Sequence, residues 1–567
     1  MKRTILIIVL AMAAMATFNS CKKYLDVNND PDTPQFPDVS SVFPTQLAAI
    51  PRGLQFDARY AGRFIQNWLS STTANAANVN FDRMGFTAAS DVNGDIWRQV
   101  YYGMGKNLNF IIDEGLRKQQ WDYVGAAYAL KALMFQYCTD YHGEIIFSEA
   151  FNENQASFKF DAQEDVYKGI NSLCRLALQY LNNTKYNASA TRLSKSDYIY
   201  NGQIAQWIKF TNGILARNFH RTTNKSNYQA DSVIFYCDRS LDAITDDFLI
   251  PFDASKNDDT NFYGTYRDNL TVFRQSNFIV KLLDGTALTG IPASFVTAAN
   301  RDPRMKHMLV SSQDTTNGNG GFRGVDPGAG DPNVALTGTY VVGSANWINA
   351  RRRVPTPWAD SVYANPSSAV FSSQYKRYLF ADKVVFPVMT SSEIQFMKAE
   401  AAFRKADKAT ALDAYRKGIN LHFDFINRGS FPRGNGVLYN TAPISATQRA
   451  EYLAGNNVKK SVTTLNLSDI MLQKYIALWG WGFFETFVDL RRFHYTDTET
   501  DQVTGLPTQV YIGFTIPTTL ATENLGKPVY RVRPRYNSEY IWNRDELLRI
   551  GALNGDYHTY ETWFSQP

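Results

Sequence analysis

The sequence predicts a mostly α-helical body: stacked helix pairs forming a scaffold, interrupted by one loop-rich irregular insertion. Three observations carry that expectation. Apolar residues recur at spacings of three and four through much of the chain, the period of a helix with one buried face. Short helical stretches follow one another across tight turns, as antiparallel hairpins require. Between two such blocks, residues from about 248 to 386 are rich in Gly, Asn, Pro, Asp and Ser, which cannot sustain long helices.

Residues 1–20 read as a signal peptide. Met1-Lys2-Arg3 is basic, and residues 5–16 form an apolar block too short to span a bilayer, which takes ~20 residues. The block ends at Phe18-Asn19-Ser20-Cys21, so a small residue directly precedes a cysteine. That arrangement resembles a bacterial lipobox, in which the Cys21 thiol is lipidated and becomes the mature N-terminus. Phe18 and Asn19 depart from the usual pattern. Residues 21–40 then read as lipid anchor and flexible tether, since 26–34 are turn formers and charges with little to bury.

Residues 41–567 form the body. The helical scaffold is expected over about 41–247 and 387–495, the loop-rich region over 248–386, and a C-terminal segment over 496–567. Ala127, Leu130, Met134, Cys138 and Tyr141 share one helical face, as do Val166, Ile170, Leu173, Ala177 and Tyr180. Leu472, Ile476, Trp479, Phe483, Phe487 and Leu490 form a third stripe, weakened at Gly480 and Gly482. Helical periods also cover 97–116, 203–219, 231–243, 391–404 and 410–422. A long irregular insertion on a helical scaffold is where binding surfaces concentrate, so the insertion is expected to carry a ligand face.

Composition excludes several classes. The net charge is +5, and no dense Lys/Arg run is interleaved with aromatics, so nucleic acid is not an expected partner. Arg351-Arg352-Arg353 reads as a solvated or carboxylate-paired loop. With Cys21 lipidated, Cys138, Cys174 and Cys237 are an odd set of core thiols rather than a disulfide framework, leaving room for one disulfide. The 6 His include no H-E-x-x-H pair, and neither a G-x-S-x-G elbow nor a P-loop is present. No catalytic residue, metal site or cofactor is therefore expected. Asp314, Asn317, Asn319, Asp326 and Asp331 could still offer oxygens to calcium, although no EF-hand loop is formed.

Several motifs resemble one family. They are Thr139-Asp140-Tyr141-His142-Gly143-Glu144-Ile145-Ile146-Phe147-Ser148-Glu149-Ala150, Asp197-Tyr198-Ile199-Tyr200-Asn201-Gly202, and Trp207-Ile208-Lys209-Phe210-Thr211-Asn212. Glu393-Ile394-Gln395-Phe396-Met397-Lys398-Ala399-Glu400-Ala401 follows, then Gln473-Lys474-Tyr475-Ile476-Ala477-Leu478 with Glu485, Asp489, Arg491 and Arg492. Arg533, Tyr536, Glu539 and Asn543 close the series. In this order, behind a lipobox, they resemble the SusD/RagB family of nutrient-binding outer-membrane lipoproteins. Glu144 and Ile146 replace that family's usual Asp and Pro.

The resemblance implies four tetratricopeptide-like helix pairs supporting the irregular ligand face. It implies a surface-exposed lipoprotein of Bacteroidetes-type bacteria, lidding a SusC-like TonB-dependent transporter and delivering an oligosaccharide or a peptide, with no catalysis. The alternative is a lipid-anchored glycoside hydrolase, which needs two carboxylates about 5–9 Å apart. Asp140, His142, Glu144 and Glu149 could mimic an acid/base cluster, but a helix end needs such groups as caps. Glu400, Arg491 and Arg492 read as a buried ion-pair network. For ligand contact the expectation falls on loops: Phe81, Arg83 and Phe86 in 70–95, and Trp347, Arg351, Arg353 and Trp358 in the insertion. Rings there would stack on sugar faces while arginines hydrogen-bond hydroxyls.

Overall fold

The computed structural model describes residues 37–567 apart from 75, 87–92, 184, 186–188, 293–300, 315–319, 337–338, 358–377, 429–442 and 535–536. The signal peptide, Cys21 and most of the tether lie outside the described residues. Helix α1 (Val39–Phe64) opens the body, its first turn capped by the Asp38 carboxylate accepting from the Ser40 N–H. Pro44 and Pro51 lie within it, each removing a backbone donor, so apolar period alone does not reveal this helix.

A continuous helical run from Asp95 leads into α2 (Gly105–Lys118). The scaffold continues with α3 (Trp121–His142), α4 (Gln163–Leu181), α5 (Ile204–His220) and α6 (Ala230–Cys237). After the insertion come α7 (Ser391–Arg404), α8 (Lys408–Asn427), α9 (Leu467–Leu478) and α10 (Phe483–Arg492). Sequence neighbours pack as pairs, most closely α3 on α4 and α7 on α8, with α5 on α6. Helix α7 also packs on α6 and α9, so the blocks on either side of the insertion form one helical scaffold.

Several elements differ from the sequence expectation for identifiable reasons. The expected face of α3 is buried, but so is nearly all the rest of the helix, because neighbours surround it. Helix α4 keeps one buried face, formed with Cys174 and Leu181, while Leu173 and Tyr180 sit half-buried at its margin. The expected helix over 472–490 is two helices, because Gly480 adopts φ +88, a left-handed conformation that ends α9. Helix α6 stops at Cys237, short of 243, and α8 extends beyond 410–422 at both ends.

The described residues contain short strands. β1 (Trp68–Ser70), β2 (Phe248–Phe252), β3 (Phe273–Gln275) and β4 (Val384–Met389) form two antiparallel pairs. β2 pairs with β4 at Ile250↔Phe386, which joins the two ends of the loop-rich region. β1 pairs with β3 at Leu69↔Arg274 and ties that region to the segment after α1.

The motif residues prove to be framework. Asp197 accepts from the Ile199 and Gly202 N–H groups and from Trp207 Nε1 at 2.8–3.0 Å, closing the turn before α5. Below it runs a buried ionic network: Arg217 clamps Glu393 at 2.6 and 2.7 Å, and Arg221 holds Asp140 at 2.7 Å and Glu485 at 2.6 Å. Arg492 clamps Glu400 at 2.8 and 2.9 Å and reaches Asp489 at 2.6 Å, which also takes Lys474 at 2.7 Å. The expected Glu400–Arg492 pairing is present. Arg491 corrects the expectation: it donates to the Phe487 and Tyr530 carbonyls, both at 2.8 Å. Burial, with no carboxylate pairing with it among the described residues, lowers its pKa to about 10.

The apparent acid/base cluster at the end of α3 is likewise taken apart. Asp140 serves Arg221 and the Tyr167 hydroxyl, and Glu144 pairs with Arg531. Glu149 accepts from the Lys159 N–H. His142 faces the Val532 carbonyl, and burial lowers its pKa to about 3. Cys138, Cys174 and Cys237 are buried free thiols, pushed up by desolvation. Among the described residues no helix is long and apolar enough to cross a membrane.

Candidate functional site

A cleft of about 670 Å³ opens where the helical run 95–106, the loop after α3 and the C-terminal helices meet. This is the size range of small-ligand sites. Its first wall begins with Asp57 on α1, whose carboxylate accepts from the Asp95 and Ile96 N–H groups at 3.2 and 3.0 Å and caps the run from outside. Burial and the nearby Asp95 charge push Asp57 well above the usual carboxylate range. Gly53 permits this close approach: a Cβ there would sit 2.9 Å from Gln99 Cγ and 3.2 Å from Ile96 Cδ1.

The run then departs from α geometry. Gln99–Met104 is a π-helical turn, with the Gly105 N–H bonded to the Val100 carbonyl five residues back. The extra residue changes which side chains face outward, and such turns recur at functional sites. Trp97 stays in the core, 4 % exposed, while Tyr101 is half-buried and donates to the Ile146 carbonyl at 2.6 Å. Tyr102 is 80 % exposed, with the Arg98 guanidinium 5.7 Å from its ring centre, one helical turn back.

The opposite wall is built by the motif loop. Gly143, at φ +86, turns the chain off α3, and Ile145 and Asp161 bridge back across the loop. Asp161 accepts from the Phe147 and Ser148 N–H groups, so Ile146, Ala150, Phe151 and Phe158 face the cleft. Gly105 lets Phe151 lie against the first wall, since a Cβ there would meet the ring at 2.0 Å. Ser538 and Glu539 of the helix Asn537–Trp542 line the cleft, and the helix Arg544–Arg549 follows it. Asn543 accepts from the Phe158 N–H at 3.0 Å and Ser157 Oγ at 2.9 Å, and Glu546 from the Phe160 N–H.

Polar groups stand among the rings of this cleft: Asp95, Arg98, Lys106, Asn152, Glu153, Ser538 and Glu539. Glu539 is 6 % exposed, takes hydrogen bonds from Asn543 and Ser538, and no cation among the described residues pairs with it. Desolvation therefore raises its pKa. At the rim, Lys106 pairs with Glu153 at 2.8 Å, both exposed. The arrangement offers flat ring faces with a few directed donors and acceptors around them.

The site residues expected from the sequence fall elsewhere. Phe81 and Phe86 are 2 % and 4 % exposed and pack against Phe64, so they present no free ring face; this corrects their assignment to ligand contact. Arg83 lies half-buried beside Gly328, away from the cleft. Trp347 is half-buried with the Arg351 guanidinium 4.5 Å over its ring, and Arg353 is buried. Trp358 lies outside the described residues, as do Asn317 and Asn319. Asp314 is held by Arg352 at 2.7 Å, and Asp331 caps the Asn333 and Val354 N–H groups, so calcium at Asp314 would compete with a guanidinium. Among the described residues no group of three or more His, Cys, Asp or Glu is placed to hold a metal.

Sequence reasoning placed a helix over 97–116 without assigning it to the site. The available signal was local: Trp97, Tyr101 and Tyr102 stand on one helical turn around Arg98, and Glu539 and Asn543 recur four apart in the closing motif.

Helix pairs carrying an aromatic cleft between a turn and a terminal segment define a binding-protein scaffold. The chain belongs to the SusD-like family described as "Starch-binding associating with outer membrane", which matches residues 41–510. The fold is shared with a SusD/RagB family protein of Bacteroides thetaiotaomicron at 22 % identity and TM-score 0.63, covering 92 % of this chain and 98 % of that one. It is shared also with a protein named as chitin-binding, at 20 % identity and TM-score 0.64 over 94 % and 100 % of the two chains. A chitin-binding SusD homolog from Flavobacterium johnsoniae aligns at 18 % identity and TM-score 0.60 over 93 % and 98 %. No curated protein matches the chain. The family is described by what it binds and not by a reaction.

Proposed function

We propose that this protein is a surface lipoprotein, anchored through Cys21, that binds an oligosaccharide in the aromatic cleft and passes it to a SusC-like TonB-dependent outer-membrane transporter. The observation that carries the reading is Tyr102, a ring 80 % exposed at the mouth of a cleft whose other aromatics are buried or half-buried. An exposed aromatic costs contact with water unless something covers it, and the apolar face of a sugar ring suits it. The starch-binding description of the family and the chitin-binding names of two structural relatives support a glycan over a peptide.

The test is calorimetric titration of residues 22–567 with maltohexaose, chitohexaose, oligogalacturonate and a tetra-alanine peptide, for the wild type and Tyr102→Ala. Binding of a glycan that weakens in the variant supports the reading. Binding of the peptide alone would overturn it, as would release of shorter sugars that stops in Glu539→Gln. In cells, Cys21→Ala should leave the protein soluble and uptake lost; membrane partitioning of that variant would refute the anchor.

A further inference from the structure

The exposed Arg98–Tyr102 edge has a second side. Beyond it lies another cavity, of about 410 Å³, which shares Phe56, Asp95, Arg98 and Tyr102 with the main cleft and is therefore continuous with it. Its character is different. Where the cleft is aromatic, this groove brings together Arg52, Arg98 and Arg267 from three separate parts of the chain.

These guanidiniums are poorly neutralised. Arg98 and Arg267 form no ion pair among the described residues; Arg98 stacks on Tyr102, and Arg267 spends one N–H on the Asn257 carbonyl at 2.8 Å. Arg52 meets Asp258 at 3.2 Å, but both side chains are more than half exposed, so the pair exchanges readily with water or ligand. Asp95 is the carboxylate that lines the groove itself. Behind the groove, Arg59 has its guanidinium 4.3 Å from the Phe56 ring centre and 5.0 Å from that of Phe262, and the Arg267 guanidinium lies 5.5 Å from the same Phe262 ring centre. Tyr102 and Phe262 thus hold Arg98 and Arg267, two of the groove's three cations, in place without discharging them. A planar fork of donors with spare hydrogen bonds is matched by an anionic oxygen group, which accepts two parallel N–H bonds from one guanidinium.

Resting on the glycan-binding reading above, we propose that the ligand is an acidic oligosaccharide whose chain lies across Tyr102, with a carboxylate or sulfate group held in the groove by Arg98, Arg267 and Arg52. The sugar ring stacks in the cleft and its charged substituent reaches over the edge. Tyr102 then serves as the stacking platform and the arginines as the selecting element.

The experiment titrates residues 22–567 with length-matched hexasaccharides: neutral maltohexaose and chitohexaose, carboxylated oligogalacturonate, and a sulfated carrageenan oligosaccharide. The variants are Arg267→Gln and Tyr102→Ala, both at surface positions, with unchanged melting temperature as the folding check. The expected result is that at least one acidic ligand binds tenfold or more tighter than either neutral one. Arg267→Gln should then weaken the acidic ligand about tenfold, equivalent to 1.4 kcal/mol, and leave neutral ligands within twofold. Added salt should weaken only acidic binding. The carboxylated and sulfated arms identify which anion the groove takes. Neutral glycans binding as tightly as acidic ones, or equal weakening of both by Arg267→Gln, would overturn the anionic assignment and leave glycan binding standing. Indifference of all glycan binding to Tyr102→Ala, or no glycan binding, would overturn both.

Discussion

Replacing Glu485 by Gln tests the buried ionic network without requiring knowledge of the ligand. Glu485 receives Arg221 at 2.6 and 2.8 Å and approaches Arg217 at 3.3 Å, with all three side chains at most 2 % exposed. The glutamine keeps the shape and removes the charge, leaving two buried cations with one fewer counter-ion. Breaking a buried pair costs ~3–5 kcal/mol. Because Arg221 retains Asp140 and Arg217 retains Glu393, the lower end applies, about 3 kcal/mol. At ~2.1 cal/mol/K per residue, a body of this length unfolds with an entropy near 1.1 kcal/mol/K, so the melting temperature should fall about 3 °C. Glu114→Gln is the control: its partners Arg117 and Lys118 are solvent-accessible, and its loss should shift melting by under about 1 °C.

The pH dependence carries the sign. The Arg217 and Arg221 guanidiniums hold the Glu485 carboxyl well below the usual range against the opposing effect of burial. Its folded value is depressed, so its contribution is fully present above the unfolded pKa of about 4.3 and is lost as pH falls toward the folded value. Scanning calorimetry should show the gap between wild type and Glu485→Gln widest at pH 6–7 and narrowing below about pH 4. A gap below 1 °C at neutral pH, or one that widens in acid, would refute the network's electrostatic role.

Tyr102→Ala should leave melting unchanged while weakening glycan binding about two- to tenfold, since its ring is exposed and stacking is worth ~0.5–1.5 kcal/mol. Trp97→Ala, at a 4 % exposed ring, should cost ~3–5 kcal/mol and lower melting by about 3–5 °C in the same calorimeter. Gly53→Leu should separate α1 from the 95–104 run and reduce both melting temperature and affinity, read by calorimetry and titration. Native protein lacking Cys21 should take up no iodoacetamide by intact mass, and three adducts after denaturation in guanidinium; fewer than three would reveal a disulfide.

How much of this was legible in advance follows from which interactions are local. The period-three-and-four stripes locate α3, α4, α5 and α7, because sequence spacing records the face that must be buried, although neighbours bury most of the rest of α3 and α7 as well. Helix α1 was hidden by Pro44 and Pro51, whose lost bonds are tolerated only because the body packs around them. The motif residues Asp140, Glu400, Glu485 and Arg492 could be read as framework, but their partners could not. Arg221 meets Glu485 from 264 positions away.

The site shows the same division more sharply. From the chain alone come the abundance of aromatics, the absence of catalytic and metal motifs, and the family of helical scaffolds to which the ordered motifs point. The sequence expectation fell on Phe81 and not on Tyr102, because nothing in ring chemistry says which way a ring points. One is 2 % exposed and the other 80 %, and that difference arises from a π-helical turn and from a loop clamped by Asn543 across nearly 400 residues. Composition supplied the rings; the tertiary contacts decided which of them meet solvent, and placed three distant arginines beside one that does.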